Sequence, residues 1–316
     1  MRVITADEID RALTWPALIE ALREGFRADI ESPVRHHHAI PQPGAEATLL
    51  LMPAWTASGE RFLGCKVVTV FPDNGKLSKP AVLGSYLLMS GDTGEPLAAM
   101  DGTVLTRWRT AAASALASSY LSREDSGHLV MVGAGALAPY LVRAHASVRP
   151  IRRVTVWNRT RGHAVQAAFG LAVGGIEVEV ADHLEAAVRD ADIVSCATLS
   201  ATPLVRGKWL KKGVHVDLVG GFTPKMREAD DDAVKKSRVY VDTRAGALKE
   251  AGDIVQPLKS GALKKAAVRG DLFELGRGKA KGRTSASQIT LFKSVGTALE
   301  DLAAAMLVWR AAQTSG

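Results

Sequence analysis

Closely spaced glycines that end an apolar run are the strongest chemical signal in this chain. The segment His128-Leu-Val-Met-Val-Gly133-Ala-Gly135-Ala-Leu-Ala138-Pro reads as a buried parallel strand, Leu129 to Val132, breaking into a GxGxxA turn. Gly133 permits the sharp turn, Gly135 lets backbone approach a pyrophosphate, and small Ala138 lets the following helix pack close. Ala136 and Leu137, inside the same turn, count among the expected cofactor contacts. A helix-compatible segment from Pro139 to Val148 and a second strand, Val154-Thr-Val-Trp157, complete one βαβ unit. The chemistry implied is dinucleotide binding. GxGxxA alone is a weak pattern, and the alternative is a glycine-rich turn in another α/β fold.

The end of the second strand bears on which dinucleotide. An NAD site usually carries Asp or Glu there, about 20 residues past the glycines, to hold the ribose 2′-hydroxyl. This chain has Asn158-Arg159-Thr160-Arg161 and no acid. Arg159 can pair bidentately with a 2′-phosphate and stack on adenine, while Asn158 and Thr160 add neutral donors. The reading is NADP(H), with NAD(H) as the other possibility. The alternative is that Arg159 and Arg161 are merely solvated charges at a helix start.

The elements that position these residues belong to an α/β enzyme. At 316 residues the chain is long enough for two domains, and 47% hydrophobic with 23% charged residues suits a globular fold with ample core. No apolar run approaches the roughly 18 residues that span a bilayer, and no leader-like segment opens the chain, so no membrane partner is expected. Cys65 and Cys196 lack metal or CxxC spacing and read as buried free thiols in a reducing, cytoplasmic setting. The net charge of +7 is spread or concentrated late without interleaved aromatics, so anionic small molecules explain it better than nucleic acid.

Along the chain, residues 5–31 read as a short strand and an amphipathic helix with Leu18, Ile19, Leu22 and Phe26 on one face. Thr48 to Met52, Leu63 to Val70, Gly84 to Met89 and Pro96 to Met100 read as strands between turn signals. An alanine-rich helix is expected from Leu105 to Leu121, and alternating strands and helices follow from Gly127. A second alanine-rich helix is expected over Ile289 to Arg310, and residues 276–284, GRGKAKGRT, as a mobile surface loop. The expected architecture is a Rossmann dinucleotide-binding domain, residues 126–288, plus an α+β substrate-binding and dimerisation domain, residues 1–125 with 289–316. A cleft between two such domains would be the usual place for a ligand.

Several further segments carry a resemblance. They are Pro33-Val-Arg35, Gly64-Cys-Lys66-Val-Val-Thr69 and, above all, Pro96 to Ser114 with Thr106-Arg-Trp-Arg109-Thr110. With Val216-Asp-Leu-Val-Gly220-Gly221, Glu250-Ala-Gly-Asp253 and Leu291-Phe-Lys-Ser-Val-Gly296, they make almost the whole chain resemble the ornithine cyclodeaminase/μ-crystallin family. The resemblance implies a homodimer. It also implies that Arg35 and Arg109 clamp a substrate carboxylate, with Lys66 beside the reacting nitrogen. A planar guanidinium fork matches a carboxylate, and a lysine between apolar neighbours could have a depressed pKa and exchange a proton. The alternative for each is an ordinary ion pair. The same resemblance puts Arg109, Thr110, Thr198, Val219 and Ser294 to Gly296 near the cofactor.

One departure alters the expected activity. In cyclodeaminases a catalytic aspartate follows the Val-Gly-Gly turn, whereas this chain has Phe222, then Thr223-Pro-Lys-Met-Arg-Glu228. Phenylalanine cannot act as a base. Phe-Thr-Pro resembles members that reduce cyclic ketimines, Δ1-pyrroline-2-carboxylate to L-proline or piperideine-2-carboxylate to pipecolate. Ornithine cyclodeaminase and a non-catalytic NADPH-dependent binding protein remain as alternatives. Asp217 reads as structural, and Asp230 to Asp232 as an acidic helix start. His36-His37-His38 has no acidic or thiol partner nearby, so no metal is expected.

Overall fold

The computed structural model describes residues 1–172 and 175–314, which form two compact units. The first comprises Met1–Thr110 with the C-terminal segment from Thr297, the second Ala111–Gly296. The division falls inside a helix, where the sequence reading had placed it after that helix.

The first unit opens with strand β1 (Arg2–Ile4), helix α1 (Ala6–Ala12), helix α2 (Trp15–Arg27) and the short strand β2 (Ile30–Glu31). Thr5 and Glu8 close a capping box on α1, which satisfies N–H groups the helix itself cannot pair. Strands β3 (His36–Ile40), β4 (Ala47–Thr56), β5 (Phe62–Val70), β6 (Val82–Ser90) and β7 (Pro96–Asp101) follow, then helix α3 (Gly102–Leu121). The sheet order is β1-β7-β6-β5-β4-β2, with β3 also on β4. Only β1–β7 is parallel. Side chains alternate across the pleat, so Phe62, Gly64, Lys66 and Val68 of β5 point to the buried face.

The second unit contains β8 (His128–Val132), α4 (Ala138–Val148), β9 (Arg153–Trp157), α5 (Arg161–Leu171), β10 (Glu177–Val180), α6 (Leu184–Asp190), β11 (Ile193–Cys196) and β12 (His215–Leu218). It continues through α7 (Asp231–Lys236), β13 (Arg238–Val241), α8 (Arg244–Glu250), α9 (Gly252–Ser260), β14 (Val268–Asp271), α10 (Leu272–Gly276) and β15 (Thr290–Lys293). Its eight strands are parallel in the order β10-β9-β8-β11-β12-β15-β13-β14. Val130, Val132, Val194, Val216, Leu218 and Leu291 are buried in its core, as a sheet covered on both faces requires. The order reverses between β8 and β11, and a ligand crevice forms at such a point beyond the carboxyl ends of the strands. The last described element is α11 (Ala298–Thr314), which belongs to the first unit and packs on α2, β4, β5 and β6.

Two expectations fail here. Thr290–Lys293 is a buried strand between β12 and β13, not the start of the last helix, which begins at Ala298. So short a segment, with Leu291 and Phe292 as its apolar centre, fits either element, and parallel pairing on both sides decides for the strand. Residues 276–284 are tied down. Tyr240 Oη donates to the carbonyls of Lys281 and Gly282 at 2.8 and 3.2 Å, and Arg283 Nε donates to the Leu121 carbonyl at 2.7 Å. Glycine and lysine content suggested mobility, but distant donors pair this loop's backbone. No helix among the described residues is long and apolar enough to cross a membrane.

Candidate active site

The expected catalytic residues meet in the first unit. Lys66 faces inward from β5, and Arg109 faces the same core one turn after Thr106 on α3; both are buried. Lys66 Nζ donates to Asp301 Oδ1 at 2.8 Å and to Thr106 Oγ1 at 3.3 Å. Arg109 NH1 donates to Glu300 Oε2 at 2.7 Å, and its Nε lies 3.0 Å from Asp301 Oδ1. Glu300 and Asp301, both wholly buried, come from the first turn of α11. Arg35, just before β3, is half-buried and close enough for its charge to act on Lys66. Burial first, then the Arg109 and Arg35 charges, pull the Lys66 pKa down to about 8, while Asp301 opposes the fall. Lys66 therefore titrates near neutrality.

Tyr86 is a cross-strand partner of Lys66 and is fully buried. Its ring crosses β5 over Gly64, where a Cβ would stand 1.9 Å from the hydroxyl, so only glycine fits. Its hydroxyl has no hydrogen-bond partner among the described residues, and burial, then the charge of Asp301, raises its pKa well above the ordinary phenol value. Sequence reasoning missed Glu300, Asp301 and Tyr86. Paired acids in the otherwise apolar, alanine-rich stretch of α11 were the available signal.

In the second unit a cavity of about 390 Å³ is lined by Gly133, Gly135, Asn158, Arg159, Thr160 and Thr198 among others, six of the expected cofactor residues. Gly133 has φ +105°, and a Cβ there would stand 2.7 Å from the Ala197 carbonyl; beside Gly135 nothing lies within 4 Å. The open backbone leads through Ala136 and Leu137 into the N-terminus of α4, whose N–H groups favour an anion. A dinucleotide pyrophosphate fits this cradle. Asn158 Oδ1 accepts from Ala134 N–H at 3.3 Å, which ties the rim to the glycine turn. Arg161 turns to Asp182 at 2.6 Å, whereas Arg159 is exposed and, among the described residues, forms no ion pair. Val219, Ser294 and Gly296 sit just beyond β12 and β15, outside the residues lining this cavity. Thr110 belongs to the first unit.

Glu228 is the residue in this unit that sequence reasoning did not single out as functional. It is wholly buried, accepts from Thr198 N–H and Oγ1–H at 2.7 and 2.8 Å, and accepts from Gly220 N–H at 2.9 Å. One carboxylate thus fastens the segments after β11 and β12. Burial raises its pKa to about 7, aided by Asp253 and opposed by Lys293 and the Thr198 donors. Asp217 accepts from Ser114, Ser195 and His145, consistent with its structural reading. Asp230 caps α7, its carboxylate accepting from Ala233 N–H. Cys65 is half-buried, Cys196 buried, and both are free. His36, His37 and His38 are exposed along β3.

Comparison with known proteins places this architecture. The family model of the ornithine cyclodeaminase/mu-crystallin family matches residues 2–316. The chain belongs to that family. The Delta(1)-pyrroline-2-carboxylate reductase of Paracoccus denitrificans is 40% identical over 94% of this chain and 93% of its own. The enzyme of the same name from Colwellia psychrerythraea is 38% identical over 96% and 97%. The structure of the Thermococcus litoralis Delta(1)-pyrroline-2-carboxylate reductase, in complex with NADH and L-proline, superposes with a TM-score of 0.95. It is 33% identical and covers 100% of this chain and 98% of that one.

Proposed function

We propose that this chain is an NAD(P)H-dependent reductase of cyclic ketimine carboxylates, converting Δ1-pyrroline-2-carboxylate to L-proline, with piperideine-2-carboxylate as the six-membered alternative. The observation that carries the reading is the buried Lys66–Asp301–Arg109 cluster, in a family member whose relatives matched over nearly their whole length include Delta(1)-pyrroline-2-carboxylate reductases. When bound, the reduced nicotinamide supplies a hydride to the imine carbon. The protein's own residues do the rest. Arg35 and Arg109 hold the single carboxylate and so fix the orientation of the ring. The Lys66 ammonium gives a proton to the imine nitrogen. One Lys66 N–H bond breaks and one substrate N–H forms, the C=N π pair becomes the nitrogen lone pair, and Lys66 is reprotonated from water. A group titrating at about 8 can do this at neutral pH.

Phe222 follows Gly221 and offers no proton acceptor for amine loss. Gly133, Gly135, Ala136, Leu137 and Thr198 form the dinucleotide seat, with Thr110, Val219, Ser294 and Gly296 as further contacts. Asn158, Arg159 and Thr160 receive the adenosine ribose, and Arg159 favours NADP(H) over NAD(H). The chain works as a homodimer, joined through the face of the first sheet opposite α11.

The test follows nicotinamide oxidation with Δ1-pyrroline-2-carboxylate beside a reaction of L-ornithine with NAD+ assayed for ammonia. Rapid oxidation without ammonia is expected. Ammonia and proline from ornithine would overturn the reading.

A further inference from the structure

We infer that Asp301 is a positioning residue for the reaction: from the first turn of α11 it aims the Lys66 ammonium and keeps it charged. The inference rests on the reading of Lys66 as proton donor. Asp301 Oδ1 sits between Lys66 Nζ at 2.8 Å and Arg109 Nε at 3.0 Å, with all three side chains out of solvent. Lysine has three donors on a flexible stem. Asp301 and Thr106 Oγ1 take two of them, which fixes the direction of the third.

The charges around Lys66 explain why a carboxylate is needed there. Arg109 from α3 and Arg35 from the segment before β3 both oppose an ammonium, and so does burial on β5. Tyr86 from β6 is neutral at ordinary pH, and Glu300 is committed to Arg109. Asp301 is the acid that faces Lys66 directly. Without it, two guanidinium charges and a dry site would strip the proton that the reaction consumes.

The experiment measures kcat/KM against pH for imine reduction by the wild-type and Asp301→Asn enzymes. In parallel, the Lys66 midpoint is read by NMR of lysine labelled with 13C at Cε, assigned with Lys66→Arg. The wild-type alkaline limb is expected near pH 8, and in Asp301→Asn both limb and NMR midpoint should fall by at least one pH unit. A lower rate with both midpoints unmoved would make Asp301 merely structural and overturn the inference. If Asp301→Asn does not fold, Asp301→Glu decides. It keeps the charge but displaces it, so the limb should stay while kcat falls about tenfold; an unchanged rate would contradict positioning. If the wild-type protein reduces no cyclic imine, the functional reading fails, and the NMR midpoints alone judge the Asp301–Lys66 coupling.

Discussion

Arg159 is the residue whose role is most open to a single substitution. It is exposed at the rim of the glycine-lined cavity, while its neighbour Arg161 is engaged with Asp182. A charge-assisted bond to a 2′-phosphate contributes roughly 1.5–3 kcal/mol, or about one to two orders of magnitude in affinity. Arg159→Asp removes that bond and adds repulsion, so the ratio of kcat/KM for NADPH over NADH should fall by at least about tenfold. An unchanged ratio would show that Arg159 is only a solvated charge. Lys66 and Arg109 were legible through the family resemblance, and only Lys66, on a strand between apolar neighbours, carried a local signal of its own. Asp301 and Glu300 were not legible. Their partners lie 235 and 191 positions away, a separation that no local pattern encodes.

At the scale of elements, Glu228 joins the segments after β11 and β12. Its folded pKa of about 7 lies above the ordinary 4.5. The native state therefore holds a proton that the unfolded chain has lost between those values. The stability from this group is fully present below about 4.5 and is lost as pH rises through about 7. Glutamine cannot ionise. The stability difference between wild type and Glu228→Gln, from urea unfolding, should thus shift in the variant's favour from pH 5 to pH 8. A pH-independent difference would contradict the assignment. His215, depressed to about 3 by burial, loses stability as pH falls below about 6.5 in both proteins and cancels from the difference.

The glycine turn, the parallel strands and the meander over residues 47–101 were readable because period and turn chemistry agree along each segment. Thr290–Lys293 was misread because a short buried strand and a helix segment share one apolar pattern. The pinned loop at 276–284 was misread because its partners, Tyr240 and Leu121, are remote in sequence.

For the whole molecule, the first sheet shows an apolar face where an antiparallel sheet usually meets water with polar groups. Trp55, Val67 and Leu83 are 38%, 37% and 46% exposed, and Leu51 and Leu87 on the same face are half-buried. Exposed apolar side chains gathered on one face suit an interface, and the proposed homodimer would use this one. Val67→Glu should therefore convert a dimer to monomers in sedimentation or size-exclusion measurements while secondary structure persists. A dimer that survived the substitution would move the interface elsewhere.

In the proposed reaction a hydride is delivered to the carbon of a preformed imine. This step is tested most directly with a nicotinamide cofactor deuterated at C4 on the transferred face, with Δ1-pyrroline-2-carboxylate as substrate and mass spectrometry of the product. The expected product is L-proline carrying one deuterium at Cα, formed in step with cofactor oxidation. Proline free of deuterium, or oxidation without proline, would contradict it.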